Sequence, residues 1–205
     1  SFIRYPWKRA LVSMGENKVQ GAFNASYKEK RLKLGQYPYK DGKIDVSRRL
    51  ATIRHMFYSL DSSGTTWNGS AFSNISGLVG VVHSYSIADD LKEMEIFLST
   101  APNPASNLKK LLAGRVEVIA EAESKMDRTL AKNPEKFGHV VKLKIPFKIK
   151  PTYLMLSHKF VKDHPVLSEQ IWDEIRILNK TEEIKKDTFF VFNPNKINDV
   201  QWRLL

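Results

Sequence analysis

Tyr5-Pro-Trp-Lys-Arg-Ala-Leu-Val-Ser-Met-Gly-Glu-Asn-Lys-Val-Gln-Gly-Ala-Phe-Asn-Ala-Ser-Tyr-Lys-Glu-Lys-Arg31 reads as a helix, a break, a buried strand and a polar loop. Pro6 suits a helix start, where its missing N–H would have no partner anyway. Ala10, Leu11 and Met14 recur at helical spacing. Gly15 and Asn17 stop the helix, since both tolerate left-handed backbone. Val19–Phe23 follows as a short expected strand, and then come Asn24, Ser26 and Arg31. In an open α/β sheet, ligands bind beyond the carboxyl ends of strands. Short polar residues and an arginine just after a strand are therefore placed to line a site. Arg31 can offer its fixed fork of donors to a carboxylate. The competing reading makes Lys28, Lys30, Arg31 and Lys33 a solvated basic face.

A second copy of the plan begins at Asn107: Asn107-Leu-Lys-Lys-Leu-Leu-Ala-Gly-Arg-Val-Glu-Val-Ile-Ala-Glu-Ala-Glu123. A helix ends at Gly114, and a strand is expected to run into Glu121 and Glu123. Val19 and Val116 are equivalent, about one hundred residues apart, which is far beyond solenoid periods of 20–50. Two similar α/β units of this size imply two lobes with a cleft between them.

Working outward, Phe2–Tyr5 reads as a strand end, and residues 38–49 as a turn-rich excursion. Residues 50–60 read as a strand, Trp67-Asn-Gly as a turn, and Leu78–Val82 as a buried parallel strand. His83–Ser86 leads into a helix from Ile87 to about Met94. Ser86 is the expected N-cap, with Asp89 in the capping-box position and Asp90 in the first turn. Such a helix start can hold an anion, and capping alone explains Ser86 equally well. Val140–Leu143 and Thr152–Ser157 are further strands, separated by the basic segment Pro146–Pro151. Pro165 opens a long helix with Leu167, Ile171, Ile175 and Leu178 inward. Thr181–Lys186 reads as a helical tail and Phe189–Phe192 as a last strand or docking segment.

The chain has 205 residues, 42% apolar and 27% charged, an ordinary composition for a soluble globular protein. No stretch approaches the ~20 apolar residues that span a membrane, so no membrane insertion is expected. There is no cysteine, which excludes disulfides, thiolate metal sites and a cysteine nucleophile. The net charge of +11 raises nucleic acid as a partner. Its lysines and arginines are scattered, and no nucleic-acid-binding motif is visible. No nucleic acid is therefore expected, and a basic surface suits anionic ligands.

In this order and spacing the pieces resemble extracytoplasmic solute-binding proteins of family 3, which serve amino-acid ABC transporters. The resemblance runs from about Tyr5 to Lys186. It rests on Gly21-Ala-Phe with its polar loop to Arg31, Gly77-Leu-Val-Gly-Val, Leu112-Ala-Gly-Arg-Val and the segment Leu154–Ile175. It implies a type II periplasmic-binding-protein fold, two α/β lobes joined by crossover strands near His55–Leu60 and Thr152–Leu156. Lobe one would take 1–58 and 153–205, and lobe two 59–152. The family normally has a strand and a helix before residue 1, so lobe one is expected to be incomplete: the chain is a truncated or processed piece, or the C-terminal tail replaces the missing part.

Carried over position by position, the resemblance implies ligand contacts from Trp7, Asn24, Ser26, Arg31, Tyr85 and Ser86, with Arg31 on the ligand carboxylate. One position departs. The family's aspartate for the ligand ammonium falls on Ala122. Glu121 or Glu123 would have to substitute, although alternation along a strand points both away from the direction of Ala122. A standard α-amino acid is thereby placed in doubt.

No Gly-x-Ser-x-Gly, Walker or His-Glu-x-x-His pattern is present. Glu117, Glu121 and Glu123 suggest acid–base work only if they share a cleft, as in the dehydratase-like relatives of the family. The expectation is a non-enzymatic binding protein without cofactor or metal. It would be periplasmic and monomeric, capturing a small polar ligand and handing it to an ABC permease. A ligand-sensing domain of the same fold, signalling to a membrane sensor, is the alternative.

Overall fold

Residues 3–179 are described by the computed structural model. Their first half runs α1 (Trp7–Gly15), β1 (Gly21–Ser26), β2 (Tyr39–Lys40), β3 (Lys43–Ile44), β4 (Ala51–Leu60), β5 (Thr66–Trp67), β6 (Phe72–Ser73), β7 (Val79–Val82) and α2 (Ser86–Glu93). Then follow β8 (Leu98–Ala101), α3 (Pro104–Leu112), β9 (Val118–Ala122), α4 (Glu123–Ala131), α5 (Pro134–Phe137), β10 (Val140–Lys142), β11 (Lys148–Leu156), α6 (His158–Asp163) and α7 (Pro165–Leu178).

The main sheet has the order β1-β11-β4-β9-β7-β8, with β10 also paired to β4. Its two long strands tie the lobes together. β11 pairs with β1 over Thr152–Leu156 and with β4 over Lys148–Thr152. β4 in turn pairs with β9 from His55 to Ser59. The paired crossing is thus Ala51–His55 against Lys148–Thr152. That is a few residues earlier on both strands than His55–Leu60 and Thr152–Leu156, because β11 begins inside the basic Pro146–Pro151 segment that reads as a spacer.

The two helix–break–strand units take equivalent places. α1 leads to β1, which lies antiparallel to β11, and α3 leads to β9, which lies antiparallel to β4. Each break uses left-handed backbone, at Asn17 (φ 57°) and Gly114 (φ 66°). β1 starts two residues later than the expected Val19, at Gly21. A Cβ there would lie 2.7 Å from the Met155 carbonyl oxygen, so only glycine lets β1 approach β11. β9 stops at Ala122, and Glu123 opens α4, a helix that the strand expectation missed. Ile3–Pro6 form no strand. The tail segments Thr181–Lys186 and Phe189–Phe192 lie outside the described residues.

Alternation along the strands separates the cores. In lobe two, Phe57, Val79, Val81, Ile87, Leu91, Val118 and Ala120 pack on one face. Met56, Tyr58, Leu108, Leu111, Ile119 and Met126 pack on the other. In lobe one, Tyr153 and Met155 meet α1 through Leu11 and Met14, while Leu154 and Leu156 meet Trp172 of α7. Trp172 faces inward and donates from Nε1 to the Leu154 carbonyl at 2.9 Å. Leu167 and Leu178, expected inside, are substantially exposed. The inward face of α7 is set by Ser168 and Trp172, one position along from the expected stripe.

Phe57 is fully buried, with the rings of Phe72, Phe147 and Trp67 within 4.6 to 5.0 Å of its centroid. Phe57→Ala is expected to cost about 3–5 kcal/mol in urea unfolding. Phe97→Ala, at a ring left largely in solvent, is expected to change stability by no more than about 0.5 kcal/mol. Equal effects at the two positions would contradict this core.

Candidate functional site

Arg31 sits in a short helical turn, Glu29–Arg31, just beyond β1 and is buried. Its Nη1 donates to the Ser26 carbonyl at 2.8 Å, within lobe one. Its Nη2 donates to the Ser84 carbonyl at 3.0 Å, in the loop between β7 and α2 of lobe two. The guanidinium lies 5.3 Å from the centroid of the Trp7 ring, so Trp7 backs the cation. Tyr37 Oη also donates to the Ser26 carbonyl, at 2.8 Å. Arg31 is thus an interlobe connector whose acceptors are backbone carbonyls.

Local backbone makes this geometry. Asn24 adopts φ 60° where the β1–β11 register shifts between Ala22 and Ala25. Asn24 therefore belongs to a bulge inside β1, and Ser26 closes the strand. Thr152 Oγ1 donates to Asn24 Oδ1 at 3.3 Å. Ser84 adopts φ 62°, a left-handed conformation uncommon for serine, and this turns its carbonyl toward Arg31.

The N-cap of α2 is Tyr85, and Ser86 is its first helical residue, buried and without the expected side-chain cap. The first turn is used otherwise. Lys28 pairs with Asp90 at 2.9 Å, Lys30 pairs with Asp89 at 2.7 Å, and Lys150 of β11 also pairs with Asp90. The basic face is therefore only partly solvated, because two of its lysines cross to the other lobe. Burial works to raise the Asp90 carboxyl. The hydrogen bonds from Lys150 and Lys28 outweigh it and hold the group below the usual carboxylate range. Burial and the like charges of Lys28 and Lys148 lower Lys150.

Glu121 lies fully buried near the end of β9. Its Oε1 accepts from the Ala122 amide at 2.9 Å, and its Oε2 has no partner. Burial pushes its carboxyl up to about 7, against the lowering effect of Lys125. Lys125 donates to Tyr85 Oη and lies over the Tyr85 ring at 5.1 Å. Tyr85, Glu121 and Lys125 therefore form one group. Glu123 is elsewhere, paired with Arg54 and Lys142 at the start of α4. Glu117 is apart from both and accepts from Ser76.

The structure thus brings Trp7, Ser26 and Arg31 together, and sets Tyr85 and Ser86 at the facing helix start. The sequence reading missed Ser84, Asp89, Asp90, Lys150 and His55 as site residues. Both ring nitrogens of His55 are buried without partners. Burial first, then Lys150, lowers its pKa to about 4.

No family model matches the sequence, and no curated protein sequence does. Solved structures do resemble it. An ancestral arginine-binding protein bound to glutamine matches with a TM-score of 0.71 at 14% identity, covering 93% of this chain and 79% of that one. An amino acid ABC transporter substrate-binding protein from Streptococcus pneumoniae, bound to L-arginine, matches with a TM-score of 0.69 at 16% identity. The match covers 91% of this chain and 73% of that one. A histidine kinase sensor domain with similarity to periplasmic binding proteins matches with a TM-score of 0.67 at 16% identity, covering 88% and 73%. At these identities the likeness shows the fold: the periplasmic-binding-protein type, two α/β lobes joined by two crossover strands.

Glu121 has an ordinary carboxyl pKa of 4.5, raised here to about 7. Across that window the folded protein keeps a proton that the unfolded chain releases. Its contribution to stability is complete below pH 4.5 and is lost as pH rises through about 7. The loss totals about 3 kcal/mol, at about 1.4 kcal/mol for each pH unit. His55 acts oppositely, losing stability as pH falls from 6.5 to about 4, so each variant is compared with the parent at the same pH. The advantage of Glu121→Gln over the parent is expected to grow between about pH 5 and about pH 8 in urea unfolding. An advantage that is equal at both would mean that Glu121 is ionised and paired throughout.

Proposed function

We propose that this chain is an extracytoplasmic solute-binding protein that captures a small polar ligand, amino-acid-like or carboxylate, between its lobes for ABC-type import. The observation that carries this reading is Arg31: a buried guanidinium at the lobe boundary, spread across Ser26 and Ser84 and paired with no carboxylate among the described residues. Its unused N–H donors fit a ligand carboxylate, and Trp7 and Tyr85 offer apolar cover. Lobe one would take residues up to about 53 and again from about 150, following the strand pairing. The neighbours in structure that bind arginine or glutamine support a ligand of this size. Import implies a permease as partner and a periplasmic location, and the reading takes the protein as a monomer.

A second reading is a ligand-sensing domain, favoured by the likeness to the histidine kinase sensor domain. Both readings use the same cleft, and a permease or kinase gene beside this one separates them. The chemistry described here holds and orients a ligand, and the reading is non-enzymatic.

A thermal-shift screen against amino acids, small carboxylates and polyamines tests the capture itself. A ligand at 100 times its Kd is expected to add about 2.7 kcal/mol of stability, a shift of several degrees. With the hit in hand, Arg31→Ala is expected to weaken binding by about 2–5 kcal/mol in calorimetry. Unchanged affinity would remove Arg31 from the site.

A further inference from the structure

The charges around Arg31 do not balance. Lys28, Lys30 and Lys150 face Asp89 and Asp90, and Arg31 adds a fourth cation that meets only carbonyl oxygens. With the exposed Glu29 of the same turn and with Lys148, whose charge acts on Lys150, five cations stand against three carboxylates, an excess of two positive charges at the lobe boundary. Two further carboxylates lie close by. Glu121 faces Lys125, and Glu123 is held by Arg54 and Lys142. Glu121 keeps one oxygen without a partner, but burial raises its carboxyl to about 7, so it offers a ligand ammonium little charge.

The excess is also partly withdrawn from water. The Lys28 and Lys150 side chains are 18% and 13% exposed, and that of Asp90 is 10% exposed. Screening by solvent is weak in such a place, so an uncompensated charge is costly there. His55 points to the same spot. It lies in the field of Lys150 and Asp90, is only 6% exposed, and has no partner for either ring nitrogen. A buried imidazole with both nitrogens free can donate a hydrogen bond to an anion once one arrives.

We propose that the ligand is a small dicarboxylate without an ammonium group, one carboxylate on the Arg31 fork and the second on the Lys28–Lys150 pair. The proposal rests on the binding-protein reading above and narrows it. Two carboxylates cancel the excess charge and leave the Asp89 and Asp90 pairs in place. The ligand then sits on groups of lobe one and the crossover strand and leaves the interlobe contacts of Asp89 and Asp90 intact. A ligand ammonium would enter a region already rich in cations, and like-charge contact at an interface discriminates strongly between partners.

Titration calorimetry at low ionic strength with succinate, glutamate, acetate and arginine tests this. Succinate is expected to bind at least tenfold more tightly than glutamate or acetate, with no heat from arginine. Lys150→Met is expected to weaken succinate at least tenfold and to bring it level with acetate. Glutamate or arginine binding as tightly as succinate overturns the dicarboxylate assignment and leaves the binding-protein reading standing. Unchanged succinate affinity in Lys150→Met overturns the placement of the second carboxylate. A folded chain that binds none of the four overturns the proposal. A hit elsewhere in the thermal-shift screen then separates that result from failure of the binding reading.

Discussion

A buried guanidinium must have acceptors, and the arrangement at the lobe boundary follows from that requirement. Removing Arg31 from water is costly unless its N–H groups are met. Neither lobe meets them alone. Ser26 supplies one carbonyl from the end of β1, and Ser84 supplies another from the loop after β7. Two departures from ordinary backbone accompany these acceptors, at Asn24 and at Ser84. Strain of this kind persists where surrounding structure over-determines it, and here both cases flank the same cation.

The lysine–aspartate pairs act on the same boundary from the side. Lys28 and Lys30 come from the loop that carries Arg31, Lys150 comes from a crossover strand, and the aspartates come from α2, Asp89 in its first turn and Asp90 just after it. Negative charge is favourable at a helix N-terminus, so α2 stabilises Asp89 and Asp90 while offering them to the other lobe. The lobes therefore touch through a preformed set of polar contacts. A ligand can shift their closure only by the difference in its contacts with the open and closed forms. That difference is largest for a ligand that reaches Arg31 on one lobe and also the loop of Ser84 and Tyr85 on the other.

Much of the frame was legible in the sequence. The helix–break–strand units announce themselves through Gly15, Asn17 and Gly114, and the apolar run at Val79–Val82 is a parallel strand between two others. Arg31 stands out by its place after a strand, beside the competing reading of a solvated basic face, and only the resemblance implies a clamp; in the structure it lies at the lobe boundary. Its neighbours were harder to read because their local roles are self-sufficient. Asp89 and Asp90 are explained by helix-start chemistry, and nothing in their spacing shows that they cross to Lys28, Lys30 and Lys150. The carbonyl of Ser84 has no sequence signature, since any residue supplies one. The start of β11 was hidden by Pro146 and Pro151. Pro151 is tolerated because it lies just past the last pair with β1. Trp172 was passed over because the apolar stripe of α7 also reads through Leu167 and Ile171.

The account depends on lobes held face to face by Arg31 and the Asp90 pairs. The chain has no cysteine, so single cysteines can be placed at will for spin labels. Lys33, beyond Arg31, and Glu93, at the end of α2, are both exposed and lie on opposite lobes. The most direct test is the distance distribution between labels at these two positions, measured by pulsed electron spin resonance in the parent and in an Arg31→Ala, Asp90→Asn variant. The account predicts one narrow, short distance in the parent and a longer, broader distribution in the variant. The same distribution in both proteins would contradict it, because closure would then be held by something other than these contacts.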